Sequence, residues 1–148
     1  MSTMSSYHFS IVVEQDSDGY FVFCPELQGC YSQGETYEKA VQNIKDAIKL
    51  HIADRLTNKE ILSETKSISL STVEVAIWFM TELPKLTARE IIAALEKAGF
   101  IFSRQSGSHK IYKNSKGTRA TVPFHGNKVL HPKIIKRILD DTGIEIEK

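Results

Sequence analysis

Residues 100–123, FIFSRQSGSHKIYKNSKGTRATVP, decide how the chain is read. Three short runs within it, 100–105, 109–113 and 119–123, carry aromatic and β-branched residues. They are separated by Ser106-Gly107-Ser108 and by Asn114-Ser115-Lys116-Gly117, whose composition favours turns, so three consecutive strands are predicted. Upstream, Thr87 caps a helix over 88–98 that puts Ile91, Ile92 and Leu95 on one face. Glu90 completes a capping box, and Gly99 stops the helix. Downstream, Pro132 sits in the first turn of a helix over 133–141 with Ile134, Ile135, Ile138 and Leu139 apolar and Gly143 at its end. The second half therefore predicts α-β-β-β-α.

The first half has a different rhythm. YHFSIVVEQ (7–15) and YFVFC (20–24) flank Asp16-Ser17-Asp18-Gly19, a β-hairpin signature; the later ligands and closing Glu of a calcium loop are missing, so DSDG is a turn. Pro25, Gly29 and Gly34 leave room for a third short strand near 30–33. Thr36 then caps a helix with Ala40, Ile44, Ala47, Ile48 and Ile52 at helical spacing, ending near 55–56. After a polar stretch, 57–67, Val73, Val75 and Ile77 alternate as in a fourth strand. With Pro84 interrupting regular structure, two small α+β domains are expected: β-β-β-α-β over 1–79 and α-β-β-β-α over 80–148. A chain of 148 residues can hold one ordinary core or two very small ones.

The net charge of +1 conceals a division. Residues 1–80 hold six basic and eleven acidic side chains, net −5; residues 81–148 hold thirteen and seven, net +6. A basic half suits a polyanion such as nucleic acid, and an acidic half suits a cover for it, although surface charge also clusters by chance. No apolar run approaches the roughly 20 residues of a membrane span, and MSTMSSYHFS lacks the basic residue and apolar core of a secretory signal, so a cytosolic chain with no membrane partner is expected. Cys24 and Cys30 have no companion pair at zinc-ligand spacing and read as reduced thiols near strand ends.

No nucleotide-binding glycine loop, HExxH helix or Ser-His-Asp pattern occurs, and Asp140-Asp141 sit at a helix end among basic residues; neither metal nor cofactor is expected. The informative cluster is residues 104–113, RQSGSHKIYK. A near-neutral His109 could take the proton from an RNA 2′-hydroxyl, the Gly107 turn could let backbone N–H groups approach a phosphate, and Lys110 or Arg104 could offset developing charge. A surface histidine making one hydrogen bond is the plainer alternative. His125 and His131 could supply a general acid or shape the loop between Pro123 and Pro132; His8 and His51 read as structural. A three-stranded sheet backed by two helices is also the plan of double-stranded RNA-binding domains, but a plan does not give a function.

LPKLTAREIIAALEKAGF, RQSGSHKIYKN, TVPFHG and LHPKIIKRIL, taken in order, resemble a HicA-type toxin beginning at Met80. VVEQDSDGYFVFCPELQGCYSQGETYEKAVQNIKDAI resembles a HicB-type antitoxin, whose partial ribonuclease H-like domain covers that toxin. The resemblance implies an mRNA interferase that acts without metal through His109 of the GSH motif and is held inactive by the first half. Gly107 and Ser108 match the same motif; their roles as turn and phosphate contact, and those of Arg104, Lys110 and Lys113 as RNA-binding cations, are expected from the residues themselves and not from the resemblance. Two departures stand out. The family's partners are usually separate proteins, and the operator-binding segment of many antitoxins does not follow Phe79, so operator DNA binding is not expected. Tethering puts the antitoxin at roughly millimolar local concentration, provided that it reaches. Residues 79–86 span at most about 25 Å, so exchange between two chains in a dimer is expected. Met80 could start a free toxin by internal initiation or cleavage, or be a relic of fusion. A non-catalytic RNA-binding module and an inactive decoy toxin are the alternatives.

Overall fold

The DSDG turn closes a hairpin in which β1 (Val12–Asp16) pairs antiparallel with β2 (Gly19–Phe23), Asp16 opposite Gly19. Gly19 takes a positive φ of 117°, and the Asp16 carboxylate accepts from the Asp18 amide at 2.9 Å, a side-chain bond that fixes the turn. The computed structural model describes residues 7–62, 67–75 and 83–146. β3 (Tyr31–Gly34) adds to β2, and α1 (Tyr37–Thr57) follows with Thr36 as its cap, its hydroxyl accepting from the Lys39 amide. Alternation along β2 sends Val22 toward α1, where Ala40, Ile44, Ala47 and Ile48 complete a small core that includes the free thiols of Cys24 and Cys30.

In the second half, α2 (Ala88–Lys97) has both arms of the expected capping box, and β4 (Ile101–Ser106), β5 (His109–Lys113) and β6 (Arg119–Pro123) form an antiparallel sheet in the order β4-β5-β6. α3 (Pro132–Thr142) begins at its proline and ends on Gly143 in the left-handed conformation. Tyr112, Ala120 and Val122 face the helices and join Ile91, Leu95, Ile134, Ile135 and Ile138 in the larger core. Phe21 and Tyr31 from the first half belong to that same cluster, so the two halves share a core.

The expected fourth strand of the first half is not formed where the structure describes it. Among the described residues, 71–75 pair with nothing, and Val73 and Val75 are 79% and 70% exposed; 76–79 and the expected boundary at 79/80 lie outside the described residues. Alternation of valines gives strand propensity but no partner, and propensity without a neighbouring strand fixes nothing. The span between the halves is therefore longer than expected. Residues 58–87 separate α1 from α2, and about 30 residues reach roughly 100 Å when extended. The acidic and basic halves meet within one chain, and reach gives no reason for exchange between chains.

Candidate functional site

β3 and β6 are the edges of their sheets and lie against each other, while α1 packs on β3 and also on β4. α1 consequently has two buried sides. Ala40, Ile44 and Ile48 look at its own sheet; His51 and Asp54 look at the open face of the second sheet, the face turned away from α2 and α3. The strand period places His109, Ile111 and Lys113 of β5 and Arg119, Thr121 and Pro123 of β6 on that open face.

His109 is 3% exposed, and its Nε2 lies 2.7 Å from the hydroxyl of Ser32 on β3. Burial lowers its pKa, and the nearby charge of His125 pushes the same way against the opposing pull of Asp46. The imidazole is therefore neutral near pH 7, the form that can accept a proton, with the Ser32 hydroxyl at its Nε2.

Toward the other end of the face, Arg119 is 2% exposed. Its Nε donates to Asp54 at 2.9 Å and its Nη groups donate to both oxygens of Glu60, while Ser103 donates to the second Asp54 oxygen at 2.8 Å. Arg104 lies 3.7 Å from that oxygen through its Nε and donates to Thr57, and Lys113 is close enough for its charge to act on Asp54. A bulge between Phe102 and Arg104 lets Ser103 and Arg104 both turn toward α1. Burial alone would raise the Asp54 pKa, but the bonds from Arg119 and Ser103 outweigh it and hold the carboxyl low; Arg119 does the same for Glu60.

Between these ends the halves are stitched by a chain that runs from the Arg55 guanidinium through neutral groups. Arg55 donates to His51 Nδ1 at 2.6 Å, which leaves His51 Nε2 as the donor to Thr121 at 2.7 Å, and Thr121 donates onward to the Gly29 carbonyl. Burial first, then Arg55, pushes the His51 pKa down to about 3. Gln28 makes a two-way bond with the Arg119 backbone, each arm 2.9 Å. Gly29, at a φ of 80°, passes so close that a Cβ there would lie 2.5 Å from the Arg119 carbonyl oxygen. On the far side, His131 caps α3 through Nδ1, stacks on Phe21 and meets Asp16 at 2.9 Å through Nε2, while Arg137 lies over the Phe23 ring.

The structure thus gathers His109, Arg104 and Lys113 on one covered face. Lys110 is not with them: it lies on the opposite face with its ammonium 4.0 Å from the Phe124 ring centre. Gly107 forms the exposed β4–β5 turn at a φ of 54°, and the Ser108 carbonyl accepts from the Phe124 amide at 2.7 Å. His125 is exposed, whereas His131 is tied into the joint. Arg119, Thr121, Ser32 and Asp54 draw no attention as sequence, and His51 reads there as structural; the signal was polar residues falling on a helix or strand side that something else turned out to bury.

Fold and site together define a two-part chain in which an acidic β-β-β-α domain closes over a histidine-bearing face of a basic α-β-β-β-α domain. Residues 9–88 match the model of the HicB-like antitoxin of the bacterial toxin-antitoxin system, and residues 88–144 match that of the HicA toxin of bacterial toxin-antitoxin systems. The chain belongs to the HicB-like antitoxin family and carries a HicA toxin domain on the same polypeptide. It is similar to a UPF0150 protein of Helicobacter pylori, 42% identical over 65 residues that make up 44% of this chain and 90% of that protein. A UPF0150 protein of Archaeoglobus fulgidus is 35% identical over 68 residues, 45% of this chain and 93% of that protein. The Synechocystis protein ssr1765 is 51% identical over 47 residues, 31% and 60% of the respective chains.

Proposed function

We propose that the C-terminal domain is a metal-independent ribonuclease acting on mRNA, with His109 as its proton acceptor, and that the N-terminal domain of the same chain holds it inactive. The contact of Ser32 with His109 Nε2 carries the reading: the buried, neutral imidazole is blocked at the atom that a 2′-hydroxyl would use. In the reaction, His109 removes the 2′-hydroxyl proton and the 2′-oxygen bonds to phosphorus. The 5′-oxygen then departs with a proton, leaving a 2′,3′-cyclic phosphate and a 5′-hydroxyl end. His125, exposed and near enough for its charge to act on His109, is the candidate donor of that proton. The Gly107-Ser108 turn and the cations Arg104 and Lys113 hold the phosphate strand, the turn through backbone N–H groups and the cations through charge. Inhibition within one chain suffices; the site as drawn needs no residue from a second copy.

Residues 80–148, expressed with and without His109→Ala and checked for folding by circular dichroism, test this. The folded fragment degrades RNA in the absence of metal, and His109→Ala abolishes degradation while leaving the fold intact. A folded fragment that leaves RNA whole, or equal cleavage by the His109→Ala form, refutes it. Full-length Gly29→Leu, which wedges the joint apart, provides the same comparison in the intact chain.

A further inference from the structure

The open face of the second sheet is rich in donors and cations. Ser103, Arg104, Lys113, Arg119 and Thr121 accompany His109 there, with Ile101, Ile111 and Pro123 the apolar members. Against them the first half lays the carboxylates of Asp54 and Glu60 and the carbonyl of Gly29, beside His51, which donates to Thr121. Arg119 is the telling residue. Every guanidinium bond recorded for it among the described residues goes to Asp54 or Glu60, both outside its own domain. A buried cation whose acceptors all come from the cover adds nothing to the fold of the domain that bears it, since an unpaired buried charge is costly. A group that such a domain keeps is suited to an anion that arrives when the cover leaves.

We propose that Arg119, with Arg104, Lys113 and the Ser103 hydroxyl, forms a phosphate-binding subsite for the RNA backbone, and that Asp54 and Glu60 occupy it in the intact chain as stand-ins for phosphate. The proposal rests on the reading of this domain as one that acts on RNA, and adds to it a second anchor away from the histidine. The β5–β6 register sets His109 opposite Pro123 and Lys113 opposite Arg119, four residues along the strand, which is about 13 Å. A single strand lying along the face would meet the imidazole at one end and the paired carboxylate-binding arms of Arg119 at the other. Arginine suits this place because its planar fork binds two oxygens of a phosphate as it binds the two of Glu60.

The test uses the full-length chain opened in two independent ways, by Gly29→Leu and by the charge reversal Asp54→Lys/Glu60→Lys, with opening read from the solvent accessibility of His109. Each is titrated, over a range of salt, with a single-stranded RNA oligonucleotide whose 2′-hydroxyls are methylated so that it cannot be cut. Both opened chains bind it and the parent does not. Adding Arg119→Gln to either weakens binding roughly tenfold and lowers the slope of log affinity against log salt by about 0.7, the loss of one phosphate contact. His109→Ala leaves that slope unchanged, so a failure of the histidine chemistry and a failure of this subsite give different results. An unchanged affinity and slope after Arg119→Gln overturns the proposal. So does a charge-reversed chain that still buries His109, because carboxylates that can be reversed without effect are not holding the cover in place.

Discussion

Substituting Gly29 with alanine perturbs the joint at its closest approach. The new Cβ would stand 2.5 Å from the Arg119 carbonyl oxygen and 2.9 Å from its carbon, both backbone atoms, so no side-chain rotation relieves it. The φ of 80° adds its own strain, about 1–2 kcal/mol for a residue with a Cβ. If the loop retreats, the Thr121 bond to the Gly29 carbonyl and the two arms of the Gln28 bond to the Arg119 backbone are stretched or lost, at about 1 kcal/mol each. Relaxation recovers part of this sum, and a net cost of about 3 kcal/mol to the closed joint is expected. The Arg119 amide, which donates to Gln28, reports on the joint directly. Its hydrogen exchange should accelerate about 100-fold, at 1.4 kcal/mol per tenfold. The Ile91 amide, held inside α2 by the Thr87 carbonyl, should change far less. Exchange at Arg119 that stays within threefold of the parent in a folded Gly29→Ala chain would refute the close-approach reasoning.

Two further outcomes follow from the joint's polar groups. Asp54→Ala leaves Arg119 buried with Glu60 alone and Ser103 without an acceptor; urea denaturation should register a loss of about 3–5 kcal/mol, and a loss under 1 kcal/mol contradicts the assigned pairing. Acid should also loosen the chain. His51 has a folded pKa near 3 against about 6.5 when unfolded, so its contribution is complete above about pH 6.5 and falls as pH drops toward 3. By pH 5 the loss is about 2 kcal/mol. His109, likewise lowered, acts in the same direction. The groups around His51 are Arg55, Arg119 and Asp54, besides His109; Asp54 and Glu60 are held low and stay ionised at pH 5, so they do not mask the trend. Stability measured in urea at pH 7 and pH 5 should differ accordingly, and His51→Asn should remove most of the difference; equal stabilities would contradict a neutral buried His51.

Most of the secondary structure was legible because it is dictated locally. Thr36 and Thr87 announce helix starts by their capping chemistry, Gly143 an end, and Asp16 to Gly19 a turn, and each performs that role. The strand expected over 73–77 has the same kind of local signal, but its described part, 73–75, has no described neighbour to pair with, and pairing is a property of the whole sheet. At the site, the turn and cations around His109 left a plain surface histidine as the alternative, and it was the HicA resemblance that singled the residue out; the charge division likewise offered a cover beside chance clustering. Which cation belongs on which face was not. Lys110 and Lys113 are alike as letters, yet the strand period and the covering helix send them to opposite sides. The extra residue at the β4 bulge, which brings Ser103 to Asp54, likewise leaves no mark in the composition. The partnership of His51 and Asp54 with residues some 65–70 positions later is set by docking.

The common apolar cluster bears on lifetime. Phe21 and Tyr31 finish a core that otherwise belongs to the second half, and each aromatic ring removed from it returns some 150–250 Å² to water, about 4–6 kcal/mol. A toxin parted from its antidote would therefore begin its career already weakened, with a greasy gap where two rings had been. Proteases and chaperones act on such partly opened chains. Whatever poison the break released would carry its own clock.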